Sequence, residues 1–284
     1  SSRPTYTETE NDLTVKANKR TFIFSKKDGQ LKGVSVDNRK INFANGPRFI
    51  GARRADRSLD QFYNHDDEKA KEKDRTYSEF PDAAVFTKLD VKEDGGNLVV
   101  TANYKLGNLD KAQWTINPSG DLALDYTYNF SGVVDLMGIR FDYPEDQVIS
   151  KRWLGAGPYR VWQNRIHGTQ YDVWENDYND PIPGETFTYP EFKGYFGDVS
   201  WMNIQTKEGT ISLTNETPDT YIGVYQPRDG RDRLLYTLPE SGISVLNVIP
   251  PVRNKVNSTD LCGPSSQPKW VNGPQTGRVI FRFM

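Results

Sequence analysis

The sequence predicts an all-β protein, built as one large antiparallel sandwich of two sheets. Apolar segments of strand length recur about every eight to twelve residues, with turn sequences between them and no helical repeat. Within Asp121–Phe130, apolar and polar residues alternate with a period of two, which is typical of a strand with one buried face and one wet face. So many strands require a sandwich larger than an immunoglobulin-sized domain.

The predicted strands follow one another along most of the chain. Turn sequences separate them, as at Asn117–Gly120 (NPSG), which predicts a hairpin. In chain order we predict strands at Thr21–Phe24, Leu31–Val36, Lys40–Phe43, Val85–Val91, Leu98–Leu106, Lys111–Ile116, Leu122–Phe130, Gly138–Tyr143, Val199–Gln205, Thr210–Asn215, Tyr221–Tyr225, Leu234–Leu238, Ile243–Val248 and Arg278–Phe283.

Two stretches, 48–80 and 152–197, lack a strand signal and are predicted to be long irregular loops. Within the first, residues 61–80 have mixed charge and almost no apolar stripe, and they form the one plausible short helix. Because both stretches lie inside the strand series, we predict a single β-sandwich domain over residues 1–284.

The composition argues against several classes of protein. A net charge of −2, from 36 basic and 38 acidic residues, creates no field that would attract nucleic acid or an anionic membrane. No apolar run is long enough to cross a bilayer, and the polar N-terminus, which lacks a signal-peptide core, looks like a cut end. We therefore expect no nucleic-acid partner and no membrane partner, and the single cysteine, Cys262, excludes an internal disulfide.

The stretch 152–197 is the candidate binding region. It contains Trp153, Trp162 and Trp174, half of the six tryptophans, together with His167 and many polar side chains. Such a mixture suits a sugar, because aromatic rings stack on its C–H face while polar groups bind its hydroxyls. The alternative is a long loop that buried aromatic side chains hold in place.

The sequence contains no recognisable catalytic motif. The nucleophile elbow, the dinucleotide-binding pattern, the P-loop and the zinc-protease pattern are all absent. His65 precedes three acidic residues, but this spacing matches no metal-ligand pattern. Carboxylates are abundant in 152–197, yet nothing marks two of them as the acid/base pair of a glycosidase. We expect no metal, no cofactor and no catalytic residue in this chain.

Residues 152–159 (RWLGAGPY) begin a series of motifs in a defined order. Trp162, Asn164, Arg165 and Trp174 follow in the same stretch. Together they resemble the W-x-G-x-G-P-x-E-x-Y-x-D-R segment of large bacterial β-galactosidases of glycoside hydrolase family 2. That segment opens the conserved part of the C-terminal, small-chain domain of these enzymes.

Further motifs extend the resemblance over nearly the whole chain. Residues 189–194 (YPEFKG) are similar to the P-Q-E-x-G of the same domain, and residues 198–201 (DVSW) to its D-V-R-W strand. Residues 238–248, 263–268 (GPSSQP) and 278–283 (RVIFRF) are similar to its closing strands.

The resemblance implies a galactose-mutarotase-like supersandwich that forms the C-terminal, non-catalytic part of a longer glycoside hydrolase. In the family, the catalytic glutamates belong to a (β/α)8 barrel, and this chain has no alternating strand–helix pattern that would form one. The C-terminal domain lies against that barrel and contributes an aromatic-bearing loop to the sugar site. We therefore expect two partners, a carbohydrate (a β-galactoside or related glycoside) and the barrel of the parent chain. For the parent enzyme, a periplasmic or extracytoplasmic location is slightly favoured.

The candidate carbohydrate-binding residues follow from this resemblance and from side-chain chemistry. The aromatic residues are stacking candidates and the others are hydroxyl ligands; the set is Trp162, Arg165, Glu191, Trp153, His167, Trp174 and Trp270. The chain departs from the family at Arg160, Trp162 and Asn164, where the pattern has Glu, Tyr and Asp. The parent enzyme's substrate is therefore open between a galactoside and another glycoside.

Two other functions fit the same fold. A self-sufficient mutarotase-like enzyme or lyase would need a His acid and a Glu base that converge on the sugar, with His167 as the acid. A free-standing carbohydrate-binding module would need only the aromatic and polar side chains.

Overall fold

The computed structural model describes residues 2–54, 77–177, 194–224, 238–251 and 263–284. This part of the chain contains 20 β-strands, two short 3-10 turns and no α-helix. In chain order the strands are β1 (Thr5–Glu8), β2 (Asp12–Ala17), β3 (Arg20–Ser25), β4 (Leu31–Val36), β5 (Arg39–Ile41), β6 (Ala44–Arg54), β7 (Tyr77–Glu79), β8 (Ala84–Asp94), β9 (Asn97–Leu106), β10 (Leu109–Ile116), β11 (Leu122–Val134), β12 (Leu136–Asp142), β13 (Val148–Gly157), β14 (Gln170–Asp177), β15 (Phe196–Gly197), β16 (Trp201–Thr206), β17 (Gly209–Asn215), β18 (Tyr221–Val224), β19 (Ile243–Val248) and β20 (Lys269–Phe283). The 3-10 turns are Glu145–Gln147 and Pro264–Ser266.

The strands form two antiparallel sheets. The 11-stranded sheet has the order β1-β2-β3-β4-β6-β12-β19-β18-β15, with β5 beside β4 and β7 beside β6. The 9-stranded sheet has the order β14-β13-β16-β17-β20-β11-β10-β9-β8. This architecture confirms the predicted all-β supersandwich. No helix able to cross a lipid bilayer occurs among the described residues.

The hairpin predicted at Asn117–Gly120 joins β10 to β11. The backbone N–H of Gly120 donates to the Asn117 carbonyl at 2.9 Å, and that of Asp121 donates to the Asn117 side-chain oxygen at 2.9 Å. Gly120 has a φ of +82°, which glycine adopts at little cost. The local turn chemistry therefore sets the register of this hairpin.

The main core lies between the two sheets and joins them through aromatic rings. Phe43 stacks on Phe141 of the 11-stranded sheet, with ring centroids 4.7 Å apart. On its other side, its ring meets Phe281 at 5.0 Å and Phe283 at 5.4 Å, both in the 9-stranded sheet. All four side chains are buried, so they exclude water from the contact between the sheets.

The central strands of the 11-stranded sheet are buried on both faces. Phe49 on β6 and Val245 on β19 point into the main core. Their neighbours Ile50 and Leu246 point the opposite way, into a second apolar cluster on the outer face of the sheet. We call this second group the outer-face cluster; its buried members are Ile50, Ala52, Tyr77, Leu136, Val161, Trp162, Tyr195, Leu238, Leu246 and Ile249.

Several predictions about the two strand-poor stretches are wrong. β6 continues to Arg54, and residues 77–79 form β7 rather than the end of a helix; residues 61–76 of that predicted helix lie outside the described residues. In the second stretch, β13 and β14 are regular strands. β6 lacks alternation because both of its faces are buried, whereas β14 lacks it because most of this edge strand is exposed. Of the predicted strand Leu234–Leu238, only Leu238 is described, and it lies outside any strand.

Glu208, in the turn between β16 and β17, connects the two sheets through hydrogen bonds. Its carboxylate accepts from the Tyr143 hydroxyl at 2.8 Å and from the backbone N–H of Asn42 at 3.1 Å. The side-chain amide of Asn42 donates to the same carboxylate. Burial raises the pKa of Tyr143 well above its usual value, so its hydroxyl keeps its proton and remains a donor.

We predict that Glu208→Ala lowers the free energy of unfolding by about 1–3 kcal/mol, because three donors lose a charged acceptor. Urea denaturation of the purified chain measures this change. The matched control is Glu8→Ala, since Glu8 is 48% exposed and forms a surface ion pair with Lys26 at 3.4 Å, which is worth about 1 kcal/mol or less. Equal effects of the two substitutions would contradict the connecting role of Glu208.

Candidate functional site

Strands β13 and β14 place two of the predicted tryptophans opposite each other. Trp153 pairs with Trp174 across the ladder. Trp153 is fully buried, its indole N–H donates to the Ala156 carbonyl at 2.9 Å, and its ring meets Phe196 edge-on at 4.9 Å. Trp153 thus occupies a packing position in the core, with its one hydrogen-bond donor already used.

Trp174 packs on the backbone at the end of β13. Its ring lies so close to Gly157 that a Cβ there would fall 2.4 Å from the indole. The indole N–H of this half-buried side chain donates to the Gln170 carbonyl at 3.1 Å. The contact with Trp174 therefore requires glycine at position 157. The peptide bond between Gly157 and Pro158 is cis.

A tight hairpin turn, residues Trp162–Arg165, follows this motif. The backbone N–H of Arg165 donates to the Trp162 carbonyl at 2.9 Å, and the N–H of Trp162 donates back at 3.3 Å. Before the turn, Val161 exchanges two hydrogen bonds with Tyr195, at 2.7 and 2.8 Å. A Cβ on the adjacent Gly194 would lie 2.0 Å from the Val161 carbonyl oxygen, so only glycine permits this approach.

The hairpin turn rests on the outer-face cluster. The rings of Trp162 and Tyr195 meet edge-on, with centroids 5.7 Å apart, and both are buried above the sheet. Burial is the main cause that raises the pKa of Tyr195 well above its usual value, so its hydroxyl stays neutral. The buried Trp162 side chain therefore anchors the turn to the outer face of the sheet.

Four separate passages of the chain meet at the outer-face cluster. Tyr77, Tyr195, Leu238 and Ile249 belong to it. Next to Ile249, the Pro250 carbonyl accepts a hydrogen bond of 3.0 Å from the backbone N–H of Gln163. Residues that are distant in sequence therefore meet beside the hairpin turn.

Gln163 ties the hairpin turn to the segment that leads into β20. Its side-chain amide donates to the carbonyls of Ser265 and Gln267, at 2.6 and 2.7 Å. The Gln163 side chain is buried, so both hydrogen bonds are partly shielded from water. Gln163 thereby fixes residues 265–267, and Trp270 follows three positions later.

The solvent-facing side of the turn carries polar groups. The Arg165 guanidinium lies 5.8 Å from the centre of the Tyr159 ring. The Tyr159 hydroxyl donates to the His167 carbonyl at 2.9 Å, and the His167 side chain is exposed. Two predicted hydroxyl ligands, Arg165 and His167, therefore lie on the same short stretch with an aromatic ring between them.

Two cations are buried beneath this region. Arg160, where the family pattern has Glu, is only 2% exposed, and its guanidinium lies 5.6 Å from the centre of the Phe196 ring. The Lys151 ammonium lies 5.9 Å from the same ring, and Lys151 is fully buried. Arg160 therefore contributes to the interior that supports the turn, through a cation–π contact.

The remaining predicted residues lie elsewhere. Trp270 is 74% exposed on β20, opposite Val133 of β11, and lies beside a cleft between the sheets rather than in the outer-face cluster. Glu191 lies outside the described residues. In the part of the chain that the structure covers, no group of three or more His, Cys, Asp or Glu side chains could hold a metal ion.

Sequence reasoning missed Tyr159, Gln163 and Tyr195. Tyr195 carries a detectable signal, since it follows the glycine of the YPEFKG motif. Gln163 carries none, because its hydrogen-bond partners lie 102 and 104 residues further along the chain.

The two sheets define a large, antiparallel β-supersandwich of the galactose-mutarotase-like kind. The chain belongs to the beta galactosidase small chain family, whose profile matches residues 16–250. Comparison with curated proteins gives no match.

Solved structures of sugar epimerases are similar over nearly the full length. A galactose 1-epimerase from Lactobacillus acidophilus is 9% identical, with a TM-score of 0.49 and coverage of 100% of this chain and 99% of that chain. An aldose epimerase homologue from C. elegans is 7% identical, with a TM-score of 0.35 and coverage of 99% of both chains.

We predict that Gln163→Leu destabilises the chain by about 1–3 kcal/mol, because the carbonyls of Ser265 and Gln267 lose the donor that the buried Gln163 side chain supplies. Thermal and urea denaturation measure the loss. Gln170→Leu is the matched control, since Gln170 is exposed and its side chain makes no hydrogen bond with the described residues. If both variants were as stable as the parent chain, Gln163 would not anchor the turn.

Proposed function

We propose that this chain is the C-terminal, non-catalytic domain of a family 2 β-galactosidase-like glycoside hydrolase. It packs against a catalytic barrel that lies outside this chain and helps to form the carbohydrate site. The family match over residues 16–250 supports the parentage of the domain. Among the predicted sugar-binding residues that the structure describes, Arg165 is the strongest candidate.

The position of the hairpin turn carries this proposal. Trp162–Arg165 belongs to the segment of the sequence most specific to the family, yet it lies outside the main core, on the far side of the 11-stranded sheet. A turn needed only for folding would not require a separate apolar cluster, a buried glutamine anchor and a glycine-dependent bridge. This support is typical of a rigidly held binding element.

The side chains on and beside the turn suit a neutral sugar. The guanidinium of Arg165 presents several N–H donors in a fixed plane, which can bind neighbouring hydroxyls. Tyr159 offers a ring beside it, and rings of this type stack on the C–H face of a pyranose. His167 adds a group that can donate or accept.

Catalysis is assigned to the barrel because the turn offers no acid/base pair. Glycoside hydrolysis needs two carboxyl groups about 5–10 Å apart on either side of the scissile bond. Within the described residues, the contacts of the hairpin turn involve amides, carbonyls and aromatic rings. Groups of this kind bind and orient a sugar without transferring its protons.

We predict that the purified chain hydrolyses no chromogenic glycoside and does not speed the mutarotation of galactose. Release of nitrophenol and the decay of optical rotation measure the two activities. Hydrolysis by the isolated chain would rule out the accessory role. Faster mutarotation, lost in His167→Ala, would instead favour a self-sufficient mutarotase.

In the full-length parent enzyme, we predict that Arg165→Ala raises KM for the glycoside about tenfold, because at least one charged hydrogen bond to the sugar is lost. Arg165→Lys restores part of the affinity, since it keeps the charge without the planar fork. Steady-state kinetics measure both effects. Arg152→Ala is the matched control, because Arg152 is an exposed arginine on β13, the strand that leads to the turn. An unchanged KM for Arg165→Ala would exclude Arg165 from the sugar site.

A further inference from the structure

The dipeptide Asn-Gly occurs twice in the sequence, at Asn45–Gly46 and at Asn272–Gly273. In this dipeptide, the backbone nitrogen of the glycine can attack the side-chain carbonyl carbon of the asparagine, because glycine has no side chain to obstruct the approach. The two sites have different surroundings in the folded chain, so the structure decides which of them can react.

At the second site, one hydroxyl contacts both of the groups that would react. The Ser131 hydroxyl on β11 donates to the side-chain oxygen of Asn272 at 3.1 Å. The same Ser131 oxygen accepts from the backbone N–H of Gly273 at 3.2 Å. Ser131 and Asn272 are opposite each other in the ladder between β11 and β20, so the backbone keeps the three groups together.

Each of these two hydrogen bonds favours attack by the nitrogen on the carbonyl carbon. Donation to the amide oxygen of Asn272 stabilises the negative charge that develops on that oxygen as the new bond forms. Acceptance from the Gly273 N–H holds the nitrogen near the side chain that it attacks, and it supplies an oxygen toward which the N–H proton can move. The Ser131 hydroxyl therefore positions both reactants.

The second site also has the exposure and the room that ring closure needs. Asn272 is exposed, and a Cβ on Gly273 would meet no other atom of the described residues within 4 Å. Gly273 has a φ of +97°, so its backbone departs from extended strand geometry. A five-membered ring between these two residues therefore meets no steric obstacle.

The first site is enclosed. The Asn45 side-chain amide donates to the Asp142 carboxylate at 2.9 Å, so the NH₂ group that would have to leave is bound to another strand. Gly46 is buried, and a Cβ on it would overlap the ring of Phe141. Asn45–Gly46 is therefore a comparison site of the same sequence within the same chain.

We propose that Asn272–Gly273 is a self-modifying site, at which Asn272 deamidates through a cyclic succinimide while Ser131 positions the reacting groups. The Gly273 nitrogen forms a bond to the side-chain carbonyl carbon of Asn272, and the bond from that carbon to the amide nitrogen breaks. The proton of the Gly273 N–H passes to the leaving nitrogen, which departs as ammonia. Water then opens the ring at either carbonyl and leaves aspartate or isoaspartate at position 272.

The reaction changes β20 beside Trp270. Either product places a negative charge opposite Ser131, in the cleft that Asn272 and Trp270 both line. Isoaspartate also lengthens the main chain by one carbon, so the part of β20 from Lys269 to Val271 loses its register with β11. The modification needs neither an enzyme nor a catalytic barrel, so it goes beyond the accessory role of the domain.

The experiment follows both Asn-Gly sites by peptide mass spectrometry while the purified chain is incubated at neutral and at mildly alkaline pH. We expect Asn272 to react at least about tenfold faster than Asn45, because only Asn272 has both reactants held together. The reaction should be faster at the higher pH, since the nitrogen must lose its proton. Labelling by protein isoaspartate methyltransferase identifies the isoaspartate product, and Asn272→Gln should abolish the label at position 272.

Two substitutions of Ser131 test the positioning role. Ser131→Ala removes both hydrogen bonds and should slow the reaction of Asn272 about tenfold. Ser131→Thr keeps a hydroxyl and should retain most of the rate, and both variants should leave the rate at Asn45 unchanged. Ser131 is exposed, so both variants are compatible with folding, which circular dichroism checks.

No conversion of Asn272, or conversion no faster than that of Asn45, would overturn the proposal. A rate at Asn272 that Ser131→Ala leaves unchanged or raises would also overturn it, because the hydroxyl would then not position the reactants.

Discussion

Burial of the central strands on both faces is the constraint on which the rest of this structure depends. β6, β12 and β19 carry apolar side chains on the core face and also on the outer face of the 11-stranded sheet. The outer side chains lose stability if they face water, at about 25 cal/mol for each Å² exposed. A third layer must therefore cover them, and Val161, Trp162 and Tyr195 provide part of it. The hairpin turn keeps its position because its buried side chains pack on the apolar outer face of the 11-stranded sheet.

The same layer connects the turn to the inter-sheet cleft. Gln163 extends from the turn to the carbonyls just before β20, and β20 then passes along the cleft with Trp270 at its rim. The residues that cover the outer face of the sheet therefore also determine the position of the hairpin turn and, through Gln163, that of the segment leading to Trp270. Each of the two regions places an aromatic ring beside polar side chains.

The sequence predicts this structure best where local pattern and tertiary environment agree. Asp121–Phe130 alternates because one face is wet, and Asn117–Gly120 supplies its own turn chemistry, so both are predicted correctly. Most of β6 is not predicted, because burial of the strand on both faces removes the alternation of apolar and polar residues. Of the candidate site, Trp162 and Arg165 are found together, but Trp153 lies in the core and Trp270 on a separate cleft. The anchoring role of Gln163 cannot be predicted from the sequence, since its hydrogen-bond partners lie about a hundred residues further along the chain.

The central claim is that the outer-face cluster holds the hairpin turn at the junction between this domain and a catalytic barrel. A crystal structure of the full-length parent enzyme with a bound monosaccharide tests it most directly. The account predicts that the turn Trp162–Arg165 faces the barrel and that an Arg165 nitrogen lies within about 3.2 Å of a sugar hydroxyl. A structure in which the turn faces solvent, remote from both barrel and sugar, would contradict the account.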